Sequence, residues 1–205
     1  QENVYLTTTS KNDVDFTFGN HSVSLGYNEF SILAKISSNG IWQWASAYGS
    51  SGSPQTTAVG IDTQGYIWAA VSGEITKFDS AGNFLFDVSI GGGGRVKIHD
   101  LNSDSSGMIL ITGEFRSTTI DINGTGQSFN TPNVDWNLFV YKIRSTGTGV
   151  WFSTSSNATS SATSYSITVD SNNDIFIVGN FYGNFELGSI FLGGSGTEQG
   201  FVAKL

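Results

Sequence analysis

Ile167-Thr168-Val169-Asp170, then Ser171-Asn172-Asn173, then Asp174-Ile175-Phe176-Ile177-Val178-Gly179-Asn180-Phe181 form two short apolar runs joined by a tight polar turn. β-Branched and aromatic residues fill the runs, and the turn holds residues whose side chains bond their own backbone. The same phrase recurs. Ala58-Val59-Gly60-Ile61-Asp62 passes through Thr63-Gln64-Gly65 into Tyr66-Ile67-Trp68, and Asp104-Ser105-Ser106-Gly107 leads into Met108-Ile109-Leu110-Ile111. Val4-Tyr5-Leu6 matches the strand after that turn. A second phrase alternates with the first: Phe30 to Ile36, Glu74 to Phe78, Phe139 to Ile143 and Phe201 to Leu205 each set a lysine beside an apolar residue near a strand end. Lys35, Lys77, Lys142 and Lys204 are four of the six lysines in the chain. Three of these segments continue through a turn into an aromatic strand carrying Trp42 and Trp44, Phe84 and Phe86, or Trp151.

Lys35 and Lys77 are 42 residues apart, as are Asp62 and Asp104. A period of that size holding four strands matches one β-propeller blade. A lone four-stranded sheet cannot bury both apolar faces, whereas radial stacking lets each sheet cover the next. The later lysine steps lengthen to 65 and 62 because Gly/Ser/Thr-rich excursions enter at about 114–136 and 180–199. The expectation is therefore an all-β chain, a β-propeller of four-stranded antiparallel blades, with about four blades or part-blades belonging to a larger ring. Residues 1–49 form a part blade, 50–90 a blade, 91–156 a blade with an insertion, and 157–205 a part blade. From the inside outward the strands run in the order Asp-turn strand, following strand, lysine strand, aromatic strand. Gly91 to Gly94 is expected to be a flexible connection between blades.

The pattern Ile-x-x-Asp-Ser-x-x-Asp-Ile-Phe-Ile-x-Gly-x-Phe, then Phe-Val-Ala-Lys-Leu, then Ser-x-Gly-x-Trp-x-Trp resembles the SBBP-type (seven-bladed beta-propeller) repeat. It is distantly similar to NHL-type propellers, and the likeness runs from Val4 to Leu205. The second unit departs from it, with Ala69-Ala70-Val71-Ser72-Gly73 running straight into the lysine strand. The resemblance implies a secreted or surface-anchored protein of bacteria or archaea, and it brings no shared catalytic residues.

The chain has 205 residues, 38% of them apolar, which supports a substantial core. A formal net charge of −8 repels polyphosphate and excludes sequence-independent nucleic-acid binding. No window approaches 18 consecutive apolar residues, so no helical membrane insertion is expected. The absence of cysteine removes disulfides, thiol nucleophiles and thiolate metal sites. The start at Gln1 and the thiol-free acidic body suit an extracellular or cell-surface protein whose signal peptide has been removed. The strand-like ending at Leu205 suggests an incomplete ring.

Candidate chemistry is sparse. The repeated aspartates cap their turns through backbone N–H groups, and the repeated lysine stems pack between blades with the ammonium at the sheet margin. Asp170, Asn172 and Asp174 have the spacing of a calcium loop but lack its sixth-position glycine and later glutamate, so they are weak metal candidates and no cofactor is expected. Asp15, Asp121 and Glu186 fall at similar places in the excursions and serve as solvated edge charges. His21 and His99 are the only histidines, and Arg95, Arg116 and Arg144 are too scattered to form a carboxylate-binding cluster. Trp42, Trp44, Trp68 and Trp151 belong to repeat strands and pack between blades. Trp136, with Asp135 beside it, closes the longest insertion and is the best binding candidate. These features point to a non-enzymatic protein-interaction, scaffold or adhesion module, its partner a protein or a surface glycan. Alternatives are a lectin-like propeller, or a cargo or accessory component of a bacterial secretion complex.

Overall fold

The computed structural model describes residues 3–10, 15–23, 30–49, 57–91, 95–117, 119–122, 127–130, 135–155, 161–194 and 196–205. Every regular element among them is a β-strand, and all strand pairs are antiparallel. The first sheet has the order β1 (Val4–Ser10), β4 (Phe30–Ile36), β5 (Trp42–Tyr48), with the hairpin β2 (Phe16–Phe18) and β3 (His21–Val23) inserted after β1. The second sheet runs β6 (Thr57–Ile61), β7 (Ile67–Val71), β8 (Glu74–Phe78), β9 (Phe84–Gly91). The third runs β10 (Arg95–Ser103), β11 (Ile109–Arg116), β14 (Trp136–Ile143), β15 (Gly149–Thr154), and the hairpin β12 (Thr119–Ile122) and β13 (Gln127–Asn130) enters between β11 and β14 in the chain. The fourth is β16 (Ser161–Val169), β17 (Ile175–Tyr182), β20 (Glu198–Lys204), interrupted in sequence by the hairpin β18 (Phe185–Leu187) and β19 (Ile190–Leu192). The strand order within each sheet follows the order of the repeated sequence phrases. No sheet closes on itself among the described residues.

Burial explains why the central strands lack a clean apolar–polar alternation. β7 is buried at all five positions, and β11 is buried at every position except Arg116. Such strands have a sheet or hairpin against both faces. Three cores fill the spaces between consecutive sheets. Leu33 and Tyr48 of the first sheet pack with Ile67, Ala69 and Phe78 of the second. Trp68 and Ile75 of the second pack with Ile109, Phe115, Phe139 and Tyr141 of the third. Leu110, Leu138 and Val140 of the third pack with Ile177, Phe181 and Phe201 of the fourth and with Phe185 of the β18–β19 hairpin.

The repeated aspartates cap turns as the sequence suggests. Oδ1 of Asp62 accepts from the N–H groups of Gln64 and Tyr66, Asp104 from Ser106 and Met108, and Asp170 from Asn172 and Asp174. The lysines do more than expected. The Lys77 ammonium is not at a sheet margin: the residue is 5% exposed, and Nζ donates to the Ser145 carbonyl of the next sheet at 2.7 Å. It also lies 4.0 Å from the Tyr66 ring centroid and 3.9 Å from Asp62 Oδ2. Lys35 makes the corresponding bond to the Ser80 carbonyl of the second sheet at 3.3 Å. In both joints an aromatic residue opposite the lysine supports the same turn. Trp44 lies under Gly82, and Phe86 lies under Gly147. Both glycines have positive φ, and a Cβ would approach those rings to 2.8 and 2.7 Å. Glycine is therefore needed there for conformation and for clearance.

The excursions are not loops of their own sheets. Their ends extend the ladders, and each core is a hairpin. β12 pairs with β9 through Asp121 opposite Gly91 and Ile122 opposite Ile90, which enlarges the second sheet to six strands. β18–β19 repeats the arrangement one unit later, with Leu187 bridged to Ser155 just beyond β15. Asp121 thus sits in a paired strand, not on an open edge. Gly91 also belongs to β9, so the expected flexible connection does not include it; Gly92 to Gly94 lie outside the described residues.

The two joints differ in burial, and their contributions should differ accordingly. Lys77→Met is expected to destabilise by about 2 kcal/mol, because a buried carbonyl loses a charged donor, and Lys35→Met by less than about 1 kcal/mol. Urea denaturation of the two variants measures this; equal losses would show that the buried bond to Ser145 carries no special weight.

Candidate functional site

β10 and β16 hold the same place in the third and fourth sheets, and each contains one extra residue. The register shifts between Ile98 and Asp100 and between Ser164 and Ser166, so His99 and Tyr165 are bulged. Opposite them stand Gly113 and Gly179. A Cβ on either would come within 2.0 Å of the carbonyl oxygen of Lys97 or Thr163, so the backbones can approach only because glycine is present. A bulge re-aims its side chain out of the alternation. The His99 and Tyr165 rings meet edge to face with centroids 5.8 Å apart, and Tyr165 remains 51% exposed.

Beside this pair lies a nearly buried charge cluster. Glu114 of β11 is 5% exposed. Its Oε1 accepts from Lys97 Nζ at 2.6 Å, and His99 Nε2 stands 3.6 Å from the same oxygen. Its Oε2 accepts from the Thr163 hydroxyl of the fourth sheet. Burial alone pushes the Glu114 carboxyl up. The approach of His99, the hydrogen bonds from Lys97 and Thr163, and the Lys97 charge outweigh that and hold it down at about 2. Lys97 Nζ also sits 3.9 Å from the centroid of the Trp136 ring, a cation–π contact. Nearby, Asp100 Oδ2 accepts from Ser166 Oγ at 2.6 Å and from the Ile167 N–H at 2.9 Å, tying the two bulged strands together.

Trp136 is the first residue of β14, half-buried, with its ring engaged by Lys97; it does not project from a loop. Asp135, just before it, is exposed, and its carbonyl accepts from the Asn137 amide. Arg95 and Arg116 are not scattered. They stand directly opposite one another across β10 and β11, and Arg116 is opposite Trp136 across β11 and β14. One row therefore reads Arg95, Arg116, Trp136, and the next row on the same face reads Lys97, Glu114, Leu138. Asp170, Asn172 and Asp174 are at the other end of the fourth sheet. The Asp170 carboxylate is occupied by turn amides, and Asp174 pairs with Lys204 at 2.6 Å. Among the described residues no group of three or more acidic or histidine side chains is suited to a metal ion. Composition and spacing missed Lys97, His99, Glu114, Thr163 and Tyr165, although the glycine inside each apolar strand, Gly113 and Gly179, marked the bulges.

No family model and no curated protein matches the chain. Among solved structures, a protein of unknown function from Bacteroides caccae, determined at 1.35 Å, aligns with a TM-score of 0.38 at 15% identity, covering 86% of this chain and 69% of that one.

The depressed Glu114 carboxyl stabilises the fold above its unfolded value of 4.5, and that contribution is lost as pH falls from 4.5 toward 2. Wild type is expected to lose about 3 kcal/mol over that interval through this group, and Glu114→Gln should lack that part of the slope. Unfolding free energies measured between pH 6 and 2 on the two proteins make the comparison; parallel curves would contradict the assignment.

Proposed function

We propose that the chain is a non-enzymatic binding module of a secreted or cell-surface β-propeller, and that it recognises an acidic surface glycan at the Arg95–Arg116–Trp136 corner. The propeller reading is supported by four sheets with one internal strand order, each packed face to face on the next. It is supported equally by the two outward faces, where Val4 and Leu6 at one end and Val178 and Val202 at the other are exposed, as expected of blades from a larger ring. The resemblance to secreted bacterial repeat propellers favours the extracellular setting.

The observation that carries the ligand class is the convergence of basic and aromatic groups in an acidic chain. Arg95, Arg116 and Lys97 share one corner of the third sheet with Trp136, and the exposed Tyr165 of the fourth sheet meets His99 beside Glu114. Guanidinium groups pair bidentately with carboxylate or sulfate, and aromatic rings present flat surfaces to sugars. The rigid second layer, Glu114 with Lys97 and Thr163, holds the rings and charges in place. Glu114, kept ionised by its partners, has no proton to give at neutral pH and so does not suit a general-acid role.

A glycan array containing uronate and sulfated oligosaccharides tests this. Binding should weaken at least tenfold in Arg95→Ala and in Trp136→Ala, fall as salt is raised, and persist in Arg144→Ala, whose residue lies in the turn before β15. Binding indifferent to Arg95 and to salt would overturn the acidic-glycan reading.

A further inference from the structure

His99 stands outside the row Arg95, Arg116, Trp136, yet it lies against the charges that tune it. The imidazole is held in place: β10 bulges at His99, Gly113 lets β11 close against the bulge, and the Tyr165 ring meets the imidazole edge to face. Its Nε2 atom is buried and, among the described residues, makes no hydrogen bond. Glu114 Oε1 stands 3.6 Å away, just beyond hydrogen-bond reach, and that oxygen already accepts from Lys97 Nζ at 2.6 Å. The carboxylate cannot swing aside without losing the Thr163 hydroxyl on Oε2. A ring nitrogen this close to a fixed carboxylate oxygen gains a partner when the ring takes up a proton, because both nitrogens then donate.

The surroundings decide what that proton does. On β10 the charged neighbours of His99 are Lys97 and Asp100, with Arg95 further along, and Asp100 is engaged by Ser166 Oγ and the Ile167 N–H. β11 presents Glu114 and Arg116, and β16 presents Tyr165. β6 and β7, which also pack on β10, carry no titratable side chain, and Asp87 of β9 lines a groove with Thr146 and Thr148. β14 contributes Trp136, whose ring centroid is 3.9 Å from Lys97 Nζ, with Asp135 just before it. Carboxyl, ammonium and guanidinium groups ordinarily keep their charge between pH 7.5 and 5.5, whereas an imidazole ordinarily does not. Glu114 stays ionised throughout.

Resting on the acidic-glycan reading, we propose that His99 regulates that same site through its charge, so that sulfated chains bind more tightly in mildly acidic surroundings. Protonated His99 takes a share of Glu114 Oε1. The Lys97 ammonium is then less fully neutralised, and it adds its attraction to that of Arg95 and Arg116 at the Trp136 ring. A unit charge gained beside a half-exposed anion site changes affinity by about threefold. By linkage, a bound anion in turn favours the protonated ring.

The test titrates the whole chain into a fluorescent sulfated oligosaccharide, whose own charge is constant over this interval, at pH 7.5 and 5.5 and one ionic strength. Wild type should bind about threefold more tightly at the lower pH, and so should His21→Gln, which removes the other of the two histidines. His99→Gln should lose the difference. Because the readout is a ratio within each protein, a general loss of affinity does not imitate it. In His21→Gln the sole imidazole is that of His99, and its NMR titration should move to higher pH when the oligosaccharide is bound. Equal affinity at the two pH values in wild type, the same ratio retained in His99→Gln, or an NMR titration unmoved by the probe would each overturn the regulation and leave the acidic-glycan site standing. Absence of binding at both pH values would overturn the two together.

Discussion

Each sheet presents apolar side chains on both faces, and the structure follows from the need to cover them. In β7, β11 and β14 nearly every position is buried, so neither the second nor the third sheet can stand alone in water. Dispersion and hydrophobic burial set the face-to-face packing but not its register. Register comes from polar stitches placed at the joint. Lys77 reaches the Ser145 carbonyl, Ser46 reaches that of Gly82, Ser103 that of Ile61, and the Ser105 N–H reaches the Asn173 side chain. The bonds of Lys77 and Ser46 are part-buried, so sliding one sheet past its neighbour would leave those donors poorly satisfied, while those of Ser103 and Ser105 are exposed.

The repeating frame was legible because its signals are local. An aspartate that caps its own turn, a glycine at positive φ and an apolar run are all specified within a few residues, so Asp62, Asp104 and Asp170 announce themselves. The inter-sheet role of Lys77 was not legible, because its acceptor lies 68 residues away and depends on how two sheets meet. The same limit hid the hairpins. A Gly/Ser/Thr-rich excursion shows that the chain leaves the ladder, but its pairing with β9 is a tertiary fact.

The candidate site was half legible. Trp136 stood out because it interrupts a polar stretch, and the structure places it among charged residues. Its partners were invisible for a geometric reason: Lys97, Glu114 and Thr163 come from three strands and two sheets, with only cross-strand register to bring them together. Register also corrects the view of the arginines. Residues 21 apart in sequence, Arg95 and Arg116, become nearest neighbours across a ladder. The bulges at His99 and Tyr165 then turn two side chains out of the regular alternation and toward each other, which a period-two pattern cannot express.

The hairpin β12–β13 has a consequence for how the chain matures on the ribosome. The outer edge of the second sheet, β9, is covered only by residues that emerge some thirty positions later, and β15 depends likewise on β18–β19. During synthesis the ends of β9 and β15 therefore wait with unpaired backbone groups until the following hairpin arrives. The second and third units are thus completed by backbone from the unit that follows, so an elongation pause near residue 118 would leave the end of β9 unpaired.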